Sequence, residues 1–115
     1  MPEATGDCYE AAFNYLMENR GGGAVLVHAE VTGQGRIEGV RYGHAWVEVG
    51  DKVIDRSNGR IIVMPPAIYY SLAHLQGEFL EYDRNMHRYT FDEAVQAIQK
   101  HGTYGPWDLK TSTGL

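Results

Sequence analysis

Apolar positions follow two rhythms along this chain. From Cys8 to Arg20 they fall at Cys8, Ala11, Ala12, Tyr15 and Leu16, the spacing of one helical face. Asp7 stands where an N-cap would, with Glu10 three residues later as in a capping box. Gly21, Gly22 and Gly23 then release the chain from the helix. The rhythm changes at Ala24. Ala24 to Val31 is short, apolar and rich in β-branched residues, which predicts a strand, and Thr32 to Gly35 predicts a turn. Val40 to Val49 predicts a second strand and Lys52 to Ser57 a third, with Gly50-Asp51 as a tight connection between them. Asn58-Gly59 carries a strong type I′ turn signal ahead of a fourth strand, Arg60 to Met64, which Pro65-Pro66 ends.

Beyond the prolines, Ala67 to Leu75 reads as a short helix and Phe79 to Tyr82 as an edge strand. Thr90 with Glu93 is a second capping-box pattern. Phe91, Ala94, Val95 and Ile98 form an amphipathic stripe that runs to Gly102. The tail from Thr103 is turn-rich, with fraying expected after Leu109. A helix, a run of antiparallel strands and then further helices make an α+β fold in a single domain, 1–115.

Composition narrows what such a domain does. With 43% hydrophobic and 22% charged residues, the chain has enough apolar surface to build a core. A formal charge of -5 and the lack of a Lys/Arg cluster leave no electrostatic footprint for nucleic acid. No apolar run reaches bilayer-spanning length. The N-terminal stretch MPEATGDCYE is polar and acidic, unlike a signal peptide, so a cytoplasmic location is expected. The single cysteine supports neither an internal disulfide nor a Cys-rich zinc site. Two readings of it remain: a small buried hydrophobe or a nucleophile.

Its position bears on that choice. The first turn of a helix presents unpaired N–H groups and the positive end of the dipole, which favour a thiolate. Packing on the apolar stripe and the neighbouring Asp7 pull the other way. A nucleophile also needs a base. In GHAWVEV, His44, Trp46 and Glu48 share one strand face, and Ala45, Val47 and Val49 the other. If Gly50-Asp51 closes an antiparallel hairpin, Trp46 stands opposite Asp55 and His44 opposite Ser57. Asp55 is then on the His44 face and diagonal to it. A carboxylate inside the apolar run VIDR calls for a partner, and histidine would be one. The alternative is that Asp55 only begins the DRSNG turn.

GDCYEAA at a helix start, GHAWVEV on a strand and VID on the next resemble the transglutaminase-like branch of the papain-like cysteine enzymes. The resemblance covers about residues 6–57. It implies a papain-like/transglutaminase-like core with an N-terminal nucleophile helix packed on the sheet. In it Cys8 would be the nucleophile, His44 the general base and Asp55 the orienting acid. The helix CYEAAFNYLMENRG is also similar to the nucleophile helix of arylamine acetyltransferases, which are much longer. The glutamine that usually precedes the cysteine in papain-like peptidases has no counterpart among the first seven residues. The oxyanion would need the Cys8 backbone N–H and a second donor, for which His28, Tyr9 and Trp46 are candidates, and the same three are the expected substrate-binding residues.

The expected activity is a cysteine-dependent hydrolase or acyltransferase acting on a peptide, amide or ester, with no cofactor, no metal, no nucleic acid and no membrane. Three further readings stand beside it. One is a catalytically inactive binding module on the same fold. Another is a metal-dependent hydrolase using His28 and His44 with Asp55 or Glu30, although their spacing matches no zinc pattern. His28 can also be a satisfied core residue, with His74, His87 and His101 at surfaces or helix ends, and His101 suited to a helix C-terminus.

Overall fold

In the computed structural model the described residues are 7–32, 41–57, 60–72 and 86–109. Helix α1, Asp7–Glu18, leads into strands β1 (Val25–Thr32), β2 (Arg41–Val49), β3 (Lys52–Ser57) and β4 (Arg60–Met64). Helix α2 (Pro66–Leu72), strand β5 (Met86–Tyr89) and helix α3 (Phe91–His101) follow. The strands form one antiparallel sheet in the order β4-β3-β2-β1-β5. The class is therefore α+β, and the described residues form a five-stranded antiparallel sheet.

Several expected elements are present within a residue or two. Asp7 is the first residue of α1 rather than its cap, which leaves Cys8 in the first turn. The helix stops at Glu18, short of Arg20, and side chains just beyond it reach back to its last carbonyls. Asn19 Nδ2 donates to Tyr15 O at 2.9 Å and Arg20 Nη1 to Met17 O at 2.9 Å. The expected turns after Thr32 and at Asn58-Gly59, the strand at Phe79–Tyr82, and the last residues of the Ala67–Leu75 helix lie outside the described residues.

The sheet faces are set by alternation. Leu26, Ala45, Val47 and Ile54 point to one face, where α1 lies across β2 and β3 and contributes Cys8, Tyr9, Ala12, Phe13 and Leu16. Ala94 of α3 joins the same cluster, with Phe91, Val95, Ile98 and Trp107 around it. The opposite face buries Val27, Ala29, Val31, Trp46, Val53 and Met86 together with Tyr69 of α2. Each fully buried Leu or Val contributes about 1.5–3 kcal/mol relative to exposure.

Helix α3 starts and stops as its sequence predicts. Thr90 Oγ1 accepts from the Glu93 N–H at 3.2 Å while Glu93 Oε1 accepts from the Thr90 N–H at 2.9 Å. Gly102 closes it at φ 75°, its N–H on Ile98 O, and Lys100 and His101 occupy the last turn. Strand β5 is the element that periodicity does not announce. It exists because β1 pairs with it from Leu26↔Tyr89 to Ala29↔Met86. Among the described residues no helix is long and apolar enough to cross a membrane.

Candidate active site

The β2–β3 register is Val49↔Lys52, Glu48↔Val53 and Val47↔Ile54. It is the register expected for a hairpin closed at Gly50-Asp51, with Gly50 at φ 61°. Among the described residues the ladder ends there, one step before Trp46 and Asp55. Strand β3 stays paired with β4 through Asp55↔Ile62 as far as Ser57↔Arg60. The sheet thus parts between β2 and β3 at the level of His44 and Asp55.

Across that opening His44 Nε2 lies 3.0 Å from Asp55 Oδ2. Their side chains are 14% and 10% exposed, so little water screens the pair. His44 also hydrogen-bonds to Cys8 in the first turn of α1. Since Nε2 faces Asp55, Nδ1 is the ring nitrogen left for the sulfur. One imidazole thus joins the three residues that the sequence nominated. Burial alone would push His44 down. The Asp55 hydrogen bond, the Cys8 hydrogen bond and the charges of Cys8 and Asp55 together outweigh it, and His44 is raised to about 10. The arrangement holds a proton on His44 at neutral pH between two groups that are negative when ionised.

Cys8 itself is 8% exposed and part of the α1-side core. Its face of the sheet is opposite to that of His44, so the contact between them is made where the β2–β3 ladder has ended.

A fourth residue completes the constellation. Tyr69 donates its hydroxyl to Asp55 Oδ2 at 2.6 Å, the same oxygen that His44 approaches. Helix α2 aims it there: Pro65 O accepts from the Ile68 and Tyr69 N–H groups at 3.1 Å, leaving Ile68 outward and Tyr69 buried. In the sequence Tyr69 is simply one aromatic within the Ala67–Leu75 helix. The available signal was a tyrosine at a position facing the core, since a buried phenol takes a hydrogen-bond partner.

The three residues suggested for substrate or oxyanion contact are placed differently. Trp46 is fully buried beside Tyr69, with ring centroids 5.0 Å apart, and its N–H donates to Glu48 Oε2 at 3.0 Å. Glu48 in turn meets Arg88 at 3.5 Å. Tyr9 is buried with its hydroxyl against Gly43, where even a Cβ would collide with it. Burial and then the charge of Cys8 push the Tyr9 phenol well above its ordinary range.

His28 is fully buried, and among the described residues neither ring nitrogen has a hydrogen-bond partner. Rings from α1, β5 and the segment after α3 surround it: Tyr9 at 4.9 Å, Tyr89 at 5.1 Å and Trp107 at 4.7 Å between centroids. It is a core histidine whose polar partner, presumed in the core reading, is not found among the described residues. Gly105, at φ 133°, closes the box so tightly that a Cβ there would sit 2.6 Å from His28 Cε1. Burial, then the His87 charge, push His28 down to about 3 against a smaller opposing pull from Asp108. Among the described residues no three His, Cys, Asp or Glu side chains are grouped to hold a metal ion.

No family model, curated protein or solved structure matches this chain.

Proposed function

We propose that this protein is a thiol-dependent hydrolase or acyltransferase of the papain-like/transglutaminase-like kind, acting on a peptide, amide or ester through Cys8. The observation that carries the reading is the His44 imidazole joined to Cys8 on one side and to Asp55, at 3.0 Å, on the other. That is the arrangement of nucleophile, base and orienting group required for acyl transfer.

In this reading the thiol proton resides on His44 and the Cys8 sulfur attacks the substrate carbonyl carbon. The carbonyl π electrons move to oxygen, and the Cys8 backbone N–H in the first turn of α1 would serve as a donor to it. Collapse of the tetrahedral species breaks the bond to the amine or alcohol, which leaves with the proton from His44. Water or an acceptor amine then attacks the thioester, gives a proton to His44 and releases Cys8 as the leaving group. Asp55 keeps Nε2 protonated, so Nδ1 performs both transfers.

The test is alkylation with iodoacetamide at pH 7. Cys8 of the folded protein should react, and His44→Ala should slow it strongly. A thiol labelled only after denaturation would remove the nucleophile. The 8% exposure of Cys8 favours a second reading, an inactive binding module that uses the thiol as packing. A native Cys8 unreactive toward both iodoacetamide and a small activated thioester would support that alternative.

A further inference from the structure

Asp55 is held from two sides, and only one of them belongs to the segment that carries the family resemblance. Tyr69 comes from α2, outside residues 6–57, and reaches Asp55 Oδ2 at 2.6 Å while His44 Nε2 reaches it at 3.0 Å. Tyr69 is 6% exposed and Asp55 8%, so both hydrogen bonds operate in a weakly screened place.

We propose that Tyr69 is a positioning residue for this site: its hydroxyl keeps Asp55 ionised and rotationally fixed, and through Asp55 keeps His44 aimed at Cys8. The inference rests on the thiol-enzyme reading above. Two physical effects carry it. A carboxylate with one hydrogen bond can turn about its Cβ–Cγ bond, whereas two donors converging on Oδ2 fix which oxygen faces the imidazole. A neutral phenol also donates to the charged form of a carboxylate and so opposes its protonation. Asp55 therefore remains an acceptor for the Nε2 proton instead of removing it, and proton exchange is confined to the His44–Cys8 side.

Tyr69 has a further anchor in Trp46, whose ring lies 5.0 Å away at 58°. Its ring position is thus set by the core on the β-sheet face that carries His44, and its hydroxyl is delivered to Asp55 without depending on any group in α1. Loss of the hydroxyl leaves that packing in place, which separates its polar role from its steric one.

The experiment is the pH profile of Cys8 alkylation by iodoacetamide in the full chain and in Tyr69→Phe. Phe keeps the ring packing and removes only the donor. The low-pH limb, where the reactive Cys8–His44 pair is quenched, should move up by about one pH unit, the scale of one hydrogen bond to a charged group. Incorporating 3,5-difluorotyrosine at position 69 keeps ring and hydroxyl but strengthens the donor, so the limb should move down. This second form also decides the matter if Tyr69→Phe fails to fold. In an Asp55→Asn background Tyr69→Phe should add no further shift, because Tyr69 acts only through the carboxylate. Profiles for Tyr69→Phe and the fluorinated protein that superpose on the parent overturn the proposal. If the parent thiol is inert, or if His44→Ala leaves its profile unchanged, the thiol-enzyme reading itself falls. If His44→Ala changes the profile and the Tyr69 forms do not, only the Tyr69 role falls.

Discussion

Two buried histidines on opposite faces of one sheet are driven in opposite directions. His44 on β2 has a carboxylate at 3.0 Å and a thiol on its other side, and is raised to about 10. His28 on β1 has three aromatic rings and, among the described residues, no hydrogen bond, and is lowered to about 3. Desolvation acts on both and lowers both. What separates them is the partner. One imidazole is built to keep a proton, the other to refuse it. Burial therefore says little about a histidine's role until the groups facing each nitrogen are known.

The largest expected effect lies on the side that refuses the proton. His28 has a folded value below its unfolded one, so its contribution to stability is complete above pH 6.5. It is lost as pH falls from there toward about 3, by up to about 1.4 kcal/mol per pH unit. His87 stands directly opposite in the β1–β5 register, and Asp108, Tyr9 and Tyr89 face the same box. Urea unfolding at pH 7, 6, 5 and 4 should show the midpoint falling steadily, and His28→Phe should flatten that fall. Equal slopes in parent and variant would place the acid sensitivity elsewhere.

The side that holds the proton is tested by reactivity. His44→Ala should lower the Cys8 alkylation rate at pH 7 by about 100-fold, the lower end of what a positioned proton acceptor supplies. Equal second-order rate constants for parent and variant would reduce the His44–Cys8 contact to packing.

A smaller effect separates the two partners of His44. In Cys8→Ala only Asp55 holds the proton, so His44 should stay raised but below the parent's value of about 10. The sign is opposite to that of His28. The stabilisation is complete below pH 6.5 and is lost as pH rises through the folded value. Thermal midpoints of Cys8→Ala between pH 6 and 10 should therefore decline, and adding Asp55→Asn should abolish most of the decline. An undiminished slope in that double variant would mean that Asp55 does not hold the proton.

The polar half of the site was more legible from sequence than the apolar box. Strand parity and the Gly50-Asp51 turn set His44 and Asp55 on one face, and the Val47↔Ile54 register agrees. The same parity did not say that Ala45 and Val47, rather than His44, face α1, nor that the ladder would end where Cys8 meets His44. That depends on β3 following β4, a long-range pairing with no local signature. Tyr69 was legible only as an aromatic, because its partner lies 14 residues back along the chain. The His28 box was hidden for a similar reason. Its walls come from Tyr9, Tyr89, Trp107 and Gly105, in segments that meet only after β5 has paired with β1. Phe13 too fell off the expected stripe of α1, and is buried by Phe91 and Tyr104.

The smallest effect tests whether the two histidine regions are independent. Tyr89 walls the His28 box and its hydroxyl donates to Asp108 Oδ2 at 2.6 Å, tying the C-terminal segment that carries Trp107 to β5. Tyr89→Phe keeps the ring wall and removes that tie. The site is partly open to solvent, so the loss should be about 1 kcal/mol, the usual net value of one hydrogen bond. Because the C-terminal segment then opens more easily, the acid-induced change in emission of the half-buried Trp107 should begin at a higher pH than in the parent. The pH profile of Cys8 alkylation should not move, since Asp55, Tyr69 and His44 lie on the other face of the sheet. A shift in both readouts would show that Tyr9, which touches the His28 ring and follows Cys8 in the first turn of α1, transmits the state of one histidine to the other.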